Sequence, residues 1–346
     1  MAQRAVFPGV DAAQAAAPPA ARPGADAAEW SQIEAEAAAA AVTLRPGLSV
    51  GQKLRRDWMM LALAAPGVVY FAVFHYLPLL GYVIAFQDYQ PFLGFDSPYV
   101  GMKNFSDMVR DARFWQAVNN TLQITILQLV LYFPAPLGLA LMLNSIMSVR
   151  VRRFVQNVVY LPHFLSWVIV VALFQEILGG TGVVNHFLRD GGFGVWNVMS
   201  DPSAFKWMMV FQLIWKETGW GTIIFLAALL SIDQSLYEAA AVDGANRWQR
   251  LWNVTLPGIV AVTILLLILR LGNILSVGFE QILLQRTFVG PEAGEVLDTY
   301  VYFNGIIGGQ WGMTAAAGLV KGIVGLVLVL TANKIAHRLG QDGVYR

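Results

Sequence analysis

Cysteine is absent, charge is scarce and no phosphate-binding loop occurs, and each absence closes off a class of function. With no cysteine there are no disulfides, no thiolate metal site and no cysteine nucleophile. Only 13% of residues are charged and 57% are hydrophobic, where soluble domains run at roughly 25% and 45–50%. That deficit, with long uncharged runs, specifies a polytopic membrane protein lodged in a lipid bilayer. A net charge of +1 gives no reason to expect a nucleic-acid partner. Four scattered histidines (His75, His163, His186, His337) offer no metal-ligand spacing. The pattern G-x-x-x-x-G-K-[ST] does not occur, and the dipeptide Gly-Lys is missing altogether. H-E-x-x-H is missing too, and the one G-x-S-x-G match, Gly47-Leu48-Ser49-Val50-Gly51, falls in the Ala- and Pro-rich tail and not in a strand–turn–helix pattern, so no catalytic residue and no metal ligand is assigned.

What is present is a series of apolar segments behind a polar tail. Residues 1–57 are rich in Ala and Pro and read as a disordered tail that buries no core. Spans are expected at Trp58–Phe86, Ala117–Leu143, Val155–Leu178, Phe205–Leu230, Gly258–Phe279 and Trp311–Ala332. Pro134 and Pro136 predict kinks, and a short helix is expected near Val184–Leu188. The six-span region is 58–336 and a short tail follows at 337–346. Six spans put both termini on one side. Arg45, Lys53, Arg55, Arg56, Arg150, Arg152, Arg153, Arg247, Arg250, Lys334, Arg338 and Arg346 lie on that side. They outnumber Lys103, Arg110, Arg113, Arg189, Lys206 and Arg286 on the other. The positive-inside rule therefore places both termini in the cytoplasm.

The longest charged stretch between two apolar segments is the loop 233–257, within Ser231–Pro257. Two short amphipathic helices fit it. Ser235 and Glu238 have the spacing of a capping box, Gly244 ends the first helix, and Asn246 with Gln249 caps the second. Trp248, Leu251 and Trp252 share one face. Glu238-Ala239-Ala240, Asp243-Gly244-Ala245 and then Leu256-Pro257 resemble the EAA loop of bacterial ABC importer permeases. In that family the loop lies in the cytoplasm and inserts into a cleft of the ATP-hydrolysing subunit. Gly101–Phe105, Phe114 and Asn120-Thr121 are similar to the segment leading into the core of sugar importers. Ile214–Trp220, Gly278–Gln281 and Asp298–Tyr302 look most like permeases for oligosaccharides or polysaccharide fragments.

The resemblance implies an all-α type I importer permease in a bacterial cell membrane, with five helices forming the core and the first wrapping outside. It further implies a second permease subunit, two copies of an ATPase subunit and an extracytoplasmic solute-binding protein. ATP and magnesium would then bind the ATPase, and this chain would carry no cofactor. Two other readings remain. The same machine could carry an amino acid, peptide or anion, although only Arg270 and Lys321 place positive charge clearly at depth. A secondary transporter would show related halves, and no internal repeat is visible.

Ionisable groups at membrane depth face protein or water and are functional candidates. If the fifth span is one helix, Arg270, Asn273, Ser276 and Glu280 fall within roughly a 120° arc, with Phe279 beside them for stacking. That face either lines the solute path or packs on neighbouring helices. Lys216 and Glu217 stand adjacent in the fourth span, about 100° apart, and need not pair with each other. Lys321 and Glu176 pose the same question, and Leu161–Phe164 reads as a kinked helix start. The missing phosphate loop yields a direct expectation. The purified chain alone shows no ATPase activity in a phosphate-release assay, and adding an ATP-binding subunit restores it.

Overall fold

The computed structural model describes residues 50–338, 340 and 343–345. Among them there is helix throughout and no strand, only an isolated bridge between Gln87 and Tyr99. Most of the expected disordered tail lies outside the described residues. Its last part corrects that expectation, because Val50–Arg56 is helical.

Six helical stretches are long and apolar enough to cross a membrane: Trp58–Phe86, Ala112–Ser145, Trp167–Asp190, Pro202–Leu230, Arg247–Gly272 and Trp311–Arg338. Contacts divide the chain between Pro78 and Leu79. In the first unit, Trp58–Phe71 is apolar on all sides with no buried residue, as suits a helix surrounded by lipid. In the second unit, the fourth span packs along Pro134–Ser145, and the fifth along the sixth.

Three prolines, among them the expected kink residue Pro134, are accommodated in one way. Wide π turns at Ala72–Tyr76, Gln128–Tyr132 and Leu251–Thr255 precede Pro78, Pro134 and Pro257. Proline clashes with the carbonyl four residues back and supplies no N–H, and a wider turn relieves both effects.

Two spans differ from the sequence reading. The third is not continuous over Val155–Leu178. Helix Val149–Tyr160 gives way to a 3₁₀ turn at Leu161–Phe164, and a new helix, Trp167–Leu178, starts with Ser166 as its cap. Pro162 brings no N–H to the helix ladder and crowds the carbonyl four residues back; Leu161 stays helical, and the chain leaves helical geometry at Leu165, with φ −78° and ψ 139°. The helix expected near Val184–Leu188 is present as Val183–Asp190.

The fifth span ends at Gly272, well short of Phe279. Asn273 adopts φ −109° and ψ 20°, and Gly278 takes φ 106° before a separate helix begins at Phe279. Arg270, Asn273, Ser276 and Glu280 therefore do not share one helical face.

A broken backbone within the membrane must be satisfied by protein groups. Here the second span supplies them. Thr125 Oγ1 donates to the Ile274 carbonyl at 2.6 Å and Gln128 Nε2 to that of Val277 at 3.1 Å. Further along the same helix, Asn120 Nδ2 donates to the Glu292 and Glu295 carbonyls, and Thr121 Oγ1 accepts from Leu297 N–H. A second tie is a buried glutamine cluster. Gln281 and Gln285 both donate to Gln212 Oε1 at 2.8 Å, joining the helix after the break to the fourth span.

The sixth span runs through Arg338, two residues into the expected tail. The chain then folds back, with Val344 and Tyr345 N–H groups both donating to Asn333 Oδ1.

The crossing of the fourth span over helix Val149–Tyr160 depends on Gly219. A Cβ there would overlap the Val159 carbonyl oxygen and stand 2.6 Å from its carbon, and this backbone cannot move aside. Overpacking typically destabilises by about 1–3 kcal/mol. Gly219→Ala is therefore expected to lower the melting temperature and yield of the purified protein. Gly322→Ala, where a Cβ meets nothing within 4 Å, is expected to leave both unchanged.

Candidate functional site

The loop after the fourth span folds as a helix–glycine–helix knuckle. Its first helix, Gln234–Val242, is capped by Asp233, whose carboxylate accepts from Ser235 N–H at 2.9 Å. This corrects the Ser235–Glu238 capping box, because Ser235 lies inside the first turn. The bonds from the Ser235 backbone and side chain hold the Asp233 carboxyl below the usual carboxylate range, so the cap is charged at neutral pH.

Gly244 closes the helix at φ +75°. Ala245 N–H donates to Ala240 O at 2.9 Å and Gly244 N–H to Ala241 O at 3.1 Å, the paired bonds of a Schellman ending. Asn246 and Gln249 then form the expected capping box, at 2.7 and 2.9 Å. The second arm is not a separate short helix. It continues from Arg247 through the wide turn into the fifth span. Tyr237 and Thr255 hydroxyls meet at 3.0 Å and tie the two arms together.

Glu238, Ala239, Asp243 and Gly244 are exposed on the knuckle, with Ala240 and Ala245 half-buried. Among the described residues Glu238 makes no ion pair. Trp248 and Trp252 are exposed at 71% and 65%, which leaves a bare aromatic face beside a bare carboxylate. Leu256 packs on the buried group containing Phe225, Leu229 and Ile259, and exposed Pro257 sits in the first turn of Leu256–Gly272. The knuckle is therefore anchored by its ends and open at its tip.

The intramembrane candidates separate into three places. Arg270 bonds to Gln128 Oε1 and lies 5.6 Å from the centre of the Tyr132 ring. With Asn273 it lines a cavity of about 280 Å³ beside Tyr132, Gly221 and Phe225. Asn273 and Ser276 line a larger cavity of about 720 Å³, which also holds Asp298 and Lys321, an ion pair. Phe279 and Glu280 begin the next helix. Phe279 meets Tyr302 edge-on at 5.6 Å, and Glu280 is exposed with no ion pair among the described residues.

The cluster around Glu217 departs from the sequence reading. Lys216 does pair with its neighbour, at 2.9 Å, and also donates to the His163 carbonyl at 2.8 Å. His163 Nδ1 meets the other Glu217 oxygen at 2.7 Å, and its ring stacks on Trp220 at 4.4 Å. The turn at Pro162 brings His163 to this position, so it has a partner at depth as well as marking a helix break. Glu176 is exposed.

Gln128, Tyr132 and the Gln212–Gln281–Gln285 cluster were not singled out from the sequence. A signal existed for the first: Ala117, Thr121, Ile124 and Gln128 recur at helical spacing and are all buried.

Residues 105–341 match the family described as binding-protein-dependent transport system inner membrane component. Protein LplB of Bacillus subtilis (strain 168) is 44% identical over 306 residues, covering 88% of this chain and 96% of that protein. The polygalacturonan/rhamnogalacturonan transport system permease protein YteP of the same organism is 42% identical over 295 residues, covering 85% and 92%. Among solved structures, a chain of a bacterial alginate ABC transporter in complex with an alginate pentasaccharide-bound periplasmic protein is similar, with TM-score 0.78 and 38% identity. The match covers 86% of this chain and all of that one. With its six apolar helices, the chain belongs to the family of inner-membrane permease components of binding-protein-dependent transport systems.

Proposed function

We propose that this chain is one permease subunit of an ATP-driven importer that moves an oligosaccharide delivered by an extracytoplasmic binding protein. The observation that carries the reading is the knuckle. It combines a capped, glycine-closed helix pair, an exposed carboxylate and an exposed tryptophan face in a chain that has no phosphate loop of its own. Such a surface suits docking to a soluble partner, and Glu238, Ala239, Ala240, Asp243, Gly244, Ala245, Leu256 and Pro257 form or support it. The partner is an ATPase, present in two copies, that binds ATP and magnesium. The polysaccharide cargoes in the names of the YteP and alginate systems support a saccharide solute. A second permease subunit completes the pathway, with the knuckle and both termini in the cytoplasm as the basic residues favour. Arg270, Asn273 and Ser276 face the solute path, and Phe279 with Glu280 lie toward its outer mouth.

Two measurements test the two halves of this reading. For the path, Asn273→Ala removes about one hydrogen bond worth 0.5–1.5 kcal/mol. Saccharide uptake is expected to fall several-fold while assembly is unchanged, and wild-type uptake kinetics would make Asn273 a packing residue.

For the docking surface, Glu238→Gln leaves the Asp233 cap intact and removes only the charge. Breaking a partly buried interfacial charge pair costs about 2–5 kcal/mol, so co-purification with the ATPase or substrate-stimulated hydrolysis should drop sharply. Gly244→Val strains a backbone at φ +75° by about 1–2 kcal/mol or more and should misplace both arms. Wild-type assembly, hydrolysis and uptake in both variants would exclude docking through the knuckle.

A further inference from the structure

Within the membrane, basic side chains need a counter-charge or water. In the spans, Lys216 meets Glu217 at 2.9 Å and Lys321 pairs with Asp298; outside them, Arg286 meets Glu295 at 3.3 Å. Arg270 differs. Fourteen residues beyond Leu256, about 21 Å along the helix, it has no carboxylate partner among the described residues. Neutral groups hold it instead, Gln128 Oε1 and the face of Tyr132. Lys206 is also held by a neutral group, Gln123 Oε1 at 2.6 Å, but within the first turns of the fourth span.

The nearby acids are committed elsewhere. Both oxygens of Glu217 are taken, one by Lys216 and one by His163. Asp298 and Glu295 have their own cations. Glu280 stands beyond the break, on another helix. A guanidinium carries five N–H donors in a rigid fork that matches a carboxylate. One glutamine oxygen and one aromatic face leave much of that fork open toward the 280 Å³ cavity that Arg270 shares with Asn273 and Tyr132.

We infer that Arg270 reads a carboxylate on the solute, so that the imported saccharide is acidic, a uronate-containing oligosaccharide. The inference rests on the saccharide import proposed above. Gln128 keeps the fork in place without competing for it, because it is neutral and its amide already donates to Val277 O. Asn273, in the same cavity, offers hydrogen bonding to the same sugar unit. A single cation with neutral supports suits a site that must release what it binds, since conduction requires binding weak enough to leave. The paired residues Lys216, Arg286 and Lys321 add no net positive charge to this site, so the selectivity is assigned to one position.

The test uses the assembled, detergent-solubilised complex and saturation-transfer NMR, which detects weak binding directly and without the delivery protein. The probes are trigalacturonate and its carboxyl-reduced counterpart. Wild type is expected to bind trigalacturonate about tenfold or more tightly than the reduced probe. Arg270→Gln should abolish that preference by weakening trigalacturonate binding about tenfold or more, with a much smaller loss for the reduced probe, and Arg270→Lys should keep part of it. Equal binding of both probes by wild type, or an equal loss of both in Arg270→Gln, overturns the inference and leaves saccharide import standing. Loss of the second permease subunit from Arg270→Gln preparations also overturns it, since Arg270 would then be an assembly contact. Failure of wild type to bind either probe removes the acidic-saccharide assignment. Saccharide import is judged separately by uptake in the reconstituted complex.

Discussion

Backbone N–H and C=O groups have no water to bond in the hydrocarbon layer, and the hydrogen bonds from the second span to the chain after Gly272 answer that constraint. The fifth span stops part-way across, and Thr125 and Gln128 take up the carbonyls of Ile274 and Val277. Asn120 and Thr121 do the same for the segment 292–297. Without these donors the break would expose polar backbone to lipid, at a cost of several kcal/mol per group. With them, the chain can leave helical geometry and present Asn273 and Ser276 toward cavities instead of neighbouring helices. Gln128 also holds Arg270, so one side chain supports both the break and the cation beside it.

Polar groups elsewhere in the chain are used differently. Where a charge has a structural task it is paired, as in Lys216–Glu217 with His163, Arg286–Glu295 and Lys321–Asp298. Where a neutral amide has one it is clustered, as in Gln212, Gln281 and Gln285. The exposed polar groups at the knuckle follow a third pattern. There the ends are fastened by Tyr237–Thr255 and by packing of Leu256, while Glu238 and the two tryptophans are left open. This division separates fastened groups, which hold the helix framework, from groups left open.

The sequence by itself determined the features that depend on neighbours along the chain. Number and kind of spans follow from runs of apolar residues, since no other arrangement removes so much apolar surface from water. The knuckle was legible down to the Gly244 bend and the Asn246–Gln249 cap, because both are interactions across three or four residues. Even here Asp233 displaced Ser235 as the first cap, a choice between two nearby acceptors that spacing does not settle. The stop at Gly272-Asn273 carried its own local signal, glycine and asparagine at a helix end, but unbroken hydropathy through Phe279 hid it.

Only the tertiary structure decided which polar faces meet. Gln128 and Arg270 are 142 residues apart, and His163 and Glu217 are 54 apart. Helical periodicity gives each helix a polar stripe but does not say which stripe it will face. Packing of whole helices settles that, through contacts such as Gly219 against the Val159 carbonyl. Close approach at one point fixes the rotation and height of both helices, and with them the partners of every polar side chain along their length.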